Sequence, residues 1–218
     1  MNKNVAMIRK IGGLGLAGAM AFGSAGATAA DFGVSAQVQN TLAVTVVQPM
    51  ALGSIFAASA SSGLIGSLVL EPTGGMVAGE TGVVIKSLGG QAAARGSVAT
   101  DQNFTVNVPT ATIVTSTHTG PNEVTAVADI VEVRIGGAAG DPNVARLYLA
   151  NFTVGDVTDG AITGGPYAAG AAVTLDPAFG ATAVAFGIGA EVITDDSGTR
   201  TGYEAGTYEG TFTVTAEF

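Results

Sequence analysis

Few side chains in this chain have the type and spacing that chemistry requires. His118 is the single histidine, within Thr115-Ser116-Thr117-His118-Thr119-Gly120-Pro121. A Ser-His-Asp triad would need a serine on a sharp strand-to-helix elbow, and no Gly-x-Ser-x-Gly occurs. His118 therefore reads as a solvated loop residue. Asp195-Asp196-Ser197-Gly198-Thr199 and Asp156-Val157-Thr158-Asp159-Gly160 carry oxygen ligands of the kind a hard cation such as calcium takes, but neither has EF-hand spacing or a closing Glu. Both read as hairpin turns, where Asp and Gly supply the turn geometry. Glycosidases need two facing carboxylates, and 17 acidic residues always permit some pair, so that signal has no specificity. The sequons at Asn103-Phe104-Thr105 and Asn151-Phe152-Thr153 read as chance matches beside strands. No catalytic residue, cofactor or metal ligand is assigned, and the expectation is a non-enzymatic protein.

Composition narrows the classes further. The chain has no Cys and no Trp. Disulfides, thiol catalysis, Cys-based metal sites and a lipidated amino-terminal Cys are thus excluded. Only 11% of its 218 residues are charged, and 33 are Gly. Residues 1–29 read as a secretory signal: Lys3, Arg9 and Lys10, an apolar stretch from Ile11 to Phe22, then small residues ending at Ala27-Thr28-Ala29. The apolar stretch is too short and Gly-rich for a comfortable membrane span. Removing the signal leaves five basic against 17 acidic residues, a net charge of -12, which argues against nucleic acid as a partner. No later segment reads as a transmembrane helix. The expected address is extracellular or cell-surface, by way of the periplasm.

The remainder, residues 30–218, reads as a single domain built from strands. Two-residue alternation dominates. Phe32, Val34, Ala36 and Val38 share a parity, followed by Leu42, Val44 and Val46. Phe104, Val106 and Val108 repeat the pattern, as do Val131, Val133 and Ile135, then Val184 through Val192. Tyr208, Phe212, Val214, Ala216 and Phe218 close the chain. Val and Thr suit the pleated surface because their branched side chains pack well there. Turn signals separate the runs: Pro72-Thr73-Gly74-Gly75, Gly89-Gly90, Gly136-Gly137, Asp141-Pro142-Asn143 and Gly164-Gly165-Pro166. Helical periodicity is nearly absent, with one turn expected at Gln91 to Arg95. Ala57 to Gly66, rich in Ala, Ser and Gly, reads as a long loop within the domain. About ten short strands predict an all-β, antiparallel sandwich covered on one side of each sheet. Phe32, Phe56, Phe104, Phe152, Phe179, Phe186 and Phe212 are expected to dominate the core.

Four segments carry a family resemblance: Leu42–Val46 with Met50–Ile55, Gly66–Pro72, Asn103–Pro109, and Gly206-Thr207-Tyr208-Glu209-Gly210-Thr211-Phe212 running on to Phe218. On these the chain resembles the secreted bacterial family labelled domain of unknown function 4402. The resemblance implies an immunoglobulin-like β-sandwich, exported and surface-associated. It carries over no catalytic residues. An extended Thr110 to Ala145 region and a polar loop from Asp195 to Tyr203 depart from the family pattern.

The resulting expectation is an exported structural subunit of the cell surface or of an extracellular assembly, partnered with itself as a homopolymer or with other surface proteins. Pilin-like strand exchange is one form of it, with Phe32, Val34, Ala36 and Val38 as the exchange segment; the same run also reads simply as the first strand of the sandwich. One alternative is a secreted binding module for carbohydrate or protein, using Tyr148, Tyr167 and Tyr203. Another is an outer-membrane β-barrel, since the closing strand ends in Phe218. A barrel needs longer strands and aromatic girdles, and aromatics make up 6% of this chain.

Overall fold

Alternating β-branched and aromatic residues set the strands, and turns rich in Gly, Pro and Asp end them. The computed structural model describes residues 41–58, 62–117, 123–158, 161–178 and 182–218. Its strands are β1 (Thr41–Leu42), β2 (Val44–Gln48), β3 (Ser54–Ala57), β4 (Gly66–Leu70), β5 (Met76–Thr81), β6 (Ile85–Gly89), β7 (Ala94–Val98) and β8 (Phe104–Asn107). They continue with β9 (Val131–Ile135), β10 (Leu147–Thr158), β11 (Ala161–Gly164), β12 (Val173–Leu175), β13 (Val184–Thr194), β14 (Tyr208–Glu209) and β15 (Thr215–Glu217). One short helix, α1, covers Glu123–Ala126.

Every strand ladder is antiparallel. A four-stranded sheet has the order β1-β15-β8-β12. A nine-stranded sheet runs β14-β9-β10-β13-β4-β5, with β11 on β10, β7 on β13 and β2 on β7. The two-stranded sheet β3–β6 belongs to neither. The all-β antiparallel sandwich expected from the alternation is thus present. It has more strands than expected, two of them because two alternating runs divide between sheets. Residues 41–48 leave the small sheet at Ala43 and enter the large one, and residues 208–217 make the opposite passage. Gln39–Phe218 is one compact unit; the Ala57 to Gly66 connection lies partly outside the described residues.

Parity decides burial as alternation requires. Phe104 and Val106 of β8 are buried while Thr105 and Asn107 between and after them are half-exposed. They join Leu149, Val154, Phe186, Ile188 and Val192 from the large sheet in one apolar cluster. Phe104, Phe152 and Phe186 are fully buried. Phe212 is half-buried, its ring centroid 5.0 Å from that of Phe152. Phe56, expected in the core, is 55% exposed. It sits opposite Lys86 in the β3–β6 ladder, on the outward parity, while its neighbours Ile55 and Ala57 pack against the core. Phe32 and Phe179 lie outside the described residues.

Two further expectations are corrected. The central strand β13 is buried at nine consecutive positions from Phe186 to Thr194 rather than at alternate ones. The second face is covered by a separate apolar cluster in which Ala111 and Val124 join Tyr148, Ala150 and Ile193, with Ile113, Val127 and Ile130 packed beside them. The region after Thr110 is therefore a cover. Asn151 fastens it: at a register shift in β10, with φ 49°, its side chain accepts from the Ile113 N–H at 2.8 Å and donates to the Ile113 carbonyl at 2.8 Å. The same amide donates to Glu191 Oε2 at 2.6 Å, so this sequon side chain is already engaged. The helical turn expected at Gln91 to Arg95 is instead extended chain. Ala92 pairs with Ala51 and Ala94 begins β7, because Ala93, Ala94 and Gly96 lie against the core. At Gly96 a Cβ would stand 2.6 Å from the Phe186 ring, so only glycine admits the aromatic there.

Candidate functional site

Two regions collect the side chains that composition makes scarce: a polar clamp and an apolar groove.

The clamp forms where β13 ends. Asp195, Asp196 and Ser197 are buried, unlike the exposed hairpin turn expected from Asp-Asp-Ser-Gly. Ladder register brings the partners together: Tyr148 of β10 pairs with Ile193 of β13, and the chain then returns through Arg200 and Tyr203. Arg200 Nη1 donates to Asp195 Oδ2 at 2.5 Å, to the Tyr148 hydroxyl at 3.1 Å and to Ser197 Oγ at 3.3 Å. Asp195 Oδ1 accepts from the Ser197 N–H at 2.9 Å, and Oδ2 from the Arg146 N–H at 3.3 Å. The Tyr203 hydroxyl accepts from the Asp195 N–H at 2.7 Å and donates to the Arg146 carbonyl at 2.9 Å. Arg146 in turn pairs with Glu132 at 2.8 Å.

Burial alone would raise the Asp195 pKa, but the bonds from Ser197 and Arg200 outweigh it and hold the carboxyl below its ordinary value. Burial, then the neighbouring Asp195 charge, pushes the Tyr148 phenol up to about 12. Burial likewise raises Tyr203. A carboxylate spanned by a guanidinium and backbone donors is a fastening and is not poised as a base. Among the described residues no group of three or more His, Cys, Asp or Glu converges as a metal site, and the Asp195 oxygens already serve Arg200, Ser197 and Arg146. The three tyrosines offered as a sugar platform are also committed. Tyr148 is fully buried, and Tyr167 and Tyr203 pack against the core. The Tyr167 hydroxyl donates to Asp156 Oδ2 at 2.9 Å, a bond that raises its pKa. The turn expected at Asp156–Gly160 does join a hairpin, since β10 and β11 pair through Thr158 and Ala161.

The groove forms where the two sheet-switching segments part. Leu42 and Ala216 are paired in the small sheet. From there β2 goes to β7, whereas the chain back from Ala216 goes to β14 on β9. In the large sheet β9 and β7 are separated by β10 and β13. The apolar side chains of those four strands form the floor: Val133, Leu149, Ile188, Phe186 and Ala94. Val44, Val46, Met50 and Leu52 form one wall; Tyr208, Phe212 and Val214 form the other. The cavity holds about 800 Å³. Gly210 lets the second wall cross close over β9, since a Cβ there would meet the Glu132 carbonyl oxygen at 2.5 Å.

The backbone around the groove is incomplete. Residues 210–214 belong to no strand, although their side chains keep the expected alternation, Phe212 and Val214 inward with Thr211 and Thr213 exposed. Among the described residues β2 ladders with β7 alone. Val46 and Val47 are 72% and 62% exposed, with no charge in Val44–Gln48 to guard that edge. Arg95 also lines the groove, and its Nη1 is buried with no hydrogen-bond partner among the described residues. Neither region was named from the sequence as a site. The residues that were, Phe32, Val34, Ala36 and Val38, lie outside the described residues, as does His118.

Comparison with family models, with curated proteins and with solved structures returns no match.

Proposed function

We propose that this protein is an exported, non-enzymatic structural subunit of a cell surface or extracellular assembly, related to the family labelled domain of unknown function 4402. The observation that carries the reading is the groove: an apolar stretch of inner sheet face, flanked by an uncharged strand edge and by an extended segment in no ladder. Exposed, uncharged edges promote association, and natural folds ordinarily blunt them with Lys, Pro or a covering loop. The polar groups support the same reading from the other side. The fully buried Asp195 carboxylate is bound by Arg200, which suits a durable scaffold. The basic, apolar and small-residue order of residues 1–29 supports export. Negative-stain microscopy of material recovered from the culture medium or cell surface tests the reading. Filaments or ordered assemblies are expected. Isolated particles at all concentrations, with a monomer mass in solution, would overturn it.

A further inference from the structure

We infer that the groove is the receptor for residues 31–39 of a second copy of this chain, which adds beside β2 and turns Phe32, Val34, Ala36 and Val38 onto the floor. The inference rests on the assembly reading and supplies its joint. Two observations choose this occupant. The first is chemical fit. The groove is walled by Val44, Val46, Leu52 and Phe212, and the segment Asp31-Phe32-Gly33-Val34-Ser35-Ala36-Gln37-Val38-Gln39 offers an apolar residue at every second position from 32 to 38. A strand added to an open edge gains backbone hydrogen bonds from the edge and specificity from alternate side chains in the groove.

The second is charge. Asp31 is the segment's one ionised side chain, and Arg95 brings to the groove a buried Nη1 with no hydrogen-bond partner among the described residues. A carboxylate or a strand carbonyl brought to it satisfies a buried donor that the described residues leave open.

The absence of native Cys makes a cross-linking test clean. One preparation of the secreted protein carries Val46→Cys, at an exposed position that leaves the core intact; a second carries Ala36→Cys. The two are mixed, allowed to assemble and treated with a short bismaleimide. A covalent dimer containing one of each variant is expected, and an excess of free peptide of sequence 31–39 should abolish it while a Val34→Glu peptide does not. Arg95→Met should reduce the yield. In a third preparation carrying both substitutions on one chain, a cross-link confined within single chains would assign the segment to its own groove and overturn the inference. Assemblies that form normally with no cross-link would overturn it while leaving the assembly reading intact. Monomers only, with no cross-link, would overturn both.

Discussion

The clamp around Asp195 and the groove beside β2 lie on the same sheet and are finished to different degrees. In the clamp, Asp195, Arg200, Tyr148 and Tyr203 find partners inside the chain, down to single N–H groups. In the groove, half-buried Phe212 and Val214 and an exposed Val46 line a space that the described chain does not fill. Buried polar groups are costly unless satisfied, so the clamp had to be closed within one subunit. Apolar surface carries no such directional demand and is a surface that association can use. The contrast separates what holds the subunit together from what is available to hold subunits to each other.

The contrast is sharpest at Arg200. Arg200→Ala strands the Asp195 carboxylate, which is fully buried, and should cost about 3–5 kcal/mol, the range for removing one partner of a buried pair. Chemical denaturation midpoints of the two proteins check this. A loss below 1 kcal/mol, the range of exposed pairs, would mean the clamp is not a fastening. Phe212→Ala acts at the groove wall. Because the ring is half-buried, the expected cost is about 2 kcal/mol, below the roughly 3–5 kcal/mol of a fully buried phenylalanine. A loss equal to that of Arg200→Ala would show that the groove wall is as closed as the core.

Acid should act on the clamp and spare the groove. The folded Asp195 pKa lies below its unfolded value, so its contribution is present above about pH 4 and is lost as pH falls through the folded value. This effect should be smaller than that of Arg200→Ala, since a protonated carboxyl keeps part of its hydrogen bonding. Denaturation between neutral and acid pH should show a steeper loss for the native protein than for Arg200→Ala. Equal slopes would remove Asp195 as the cause. The smallest effect belongs to Thr213→Ala on the exposed face of the groove wall, under about 0.5 kcal/mol. A larger loss would place that side chain in a contact the described fold lacks.

Much of this fold was legible in local sequence. The alternations at Phe104–Val108, Val131–Ile135 and Val184–Val192 identified strands and their buried parity, because a pleated strand turns successive side chains to opposite faces. Parity could not reveal how many faces are covered. Phe56 has a strand's spacing but lies on the uncovered face of β3, opposite Ile55 and Ala57, while β13 is covered twice because Ala111, Ile113, Val124, Val127 and Ile130 pack over it from a distance in sequence. The clamp was hidden for a similar reason. Asp195-Asp196-Ser197-Gly198 has the composition of an exposed turn, and its burial follows from partners outside it, Arg146 at a separation of 49 residues and Tyr203 at a separation of 8. The groove was hidden because the alternation from Tyr208 to Phe218 is unbroken, although the backbone changes sheets between Gly210 and Val214. Strand pattern records which way side chains point and is silent on which edge, if any, the backbone joins.

The central claim is that the backbone edges flanking the groove are incomplete in one subunit and completed in the assembly. Hydrogen exchange tests it most directly, comparing isolated subunit with assembled material. In the isolated subunit, the β2 amides that point away from β7 and the amides of residues 211–214 should exchange quickly while those of β10 and β13 remain protected. On assembly, or with added peptide of sequence 31–39, the edge amides should become protected and β10 and β13 should stay as they were. Edge amides already slow in the isolated monomer, and unchanged in the assembled material, would contradict the account.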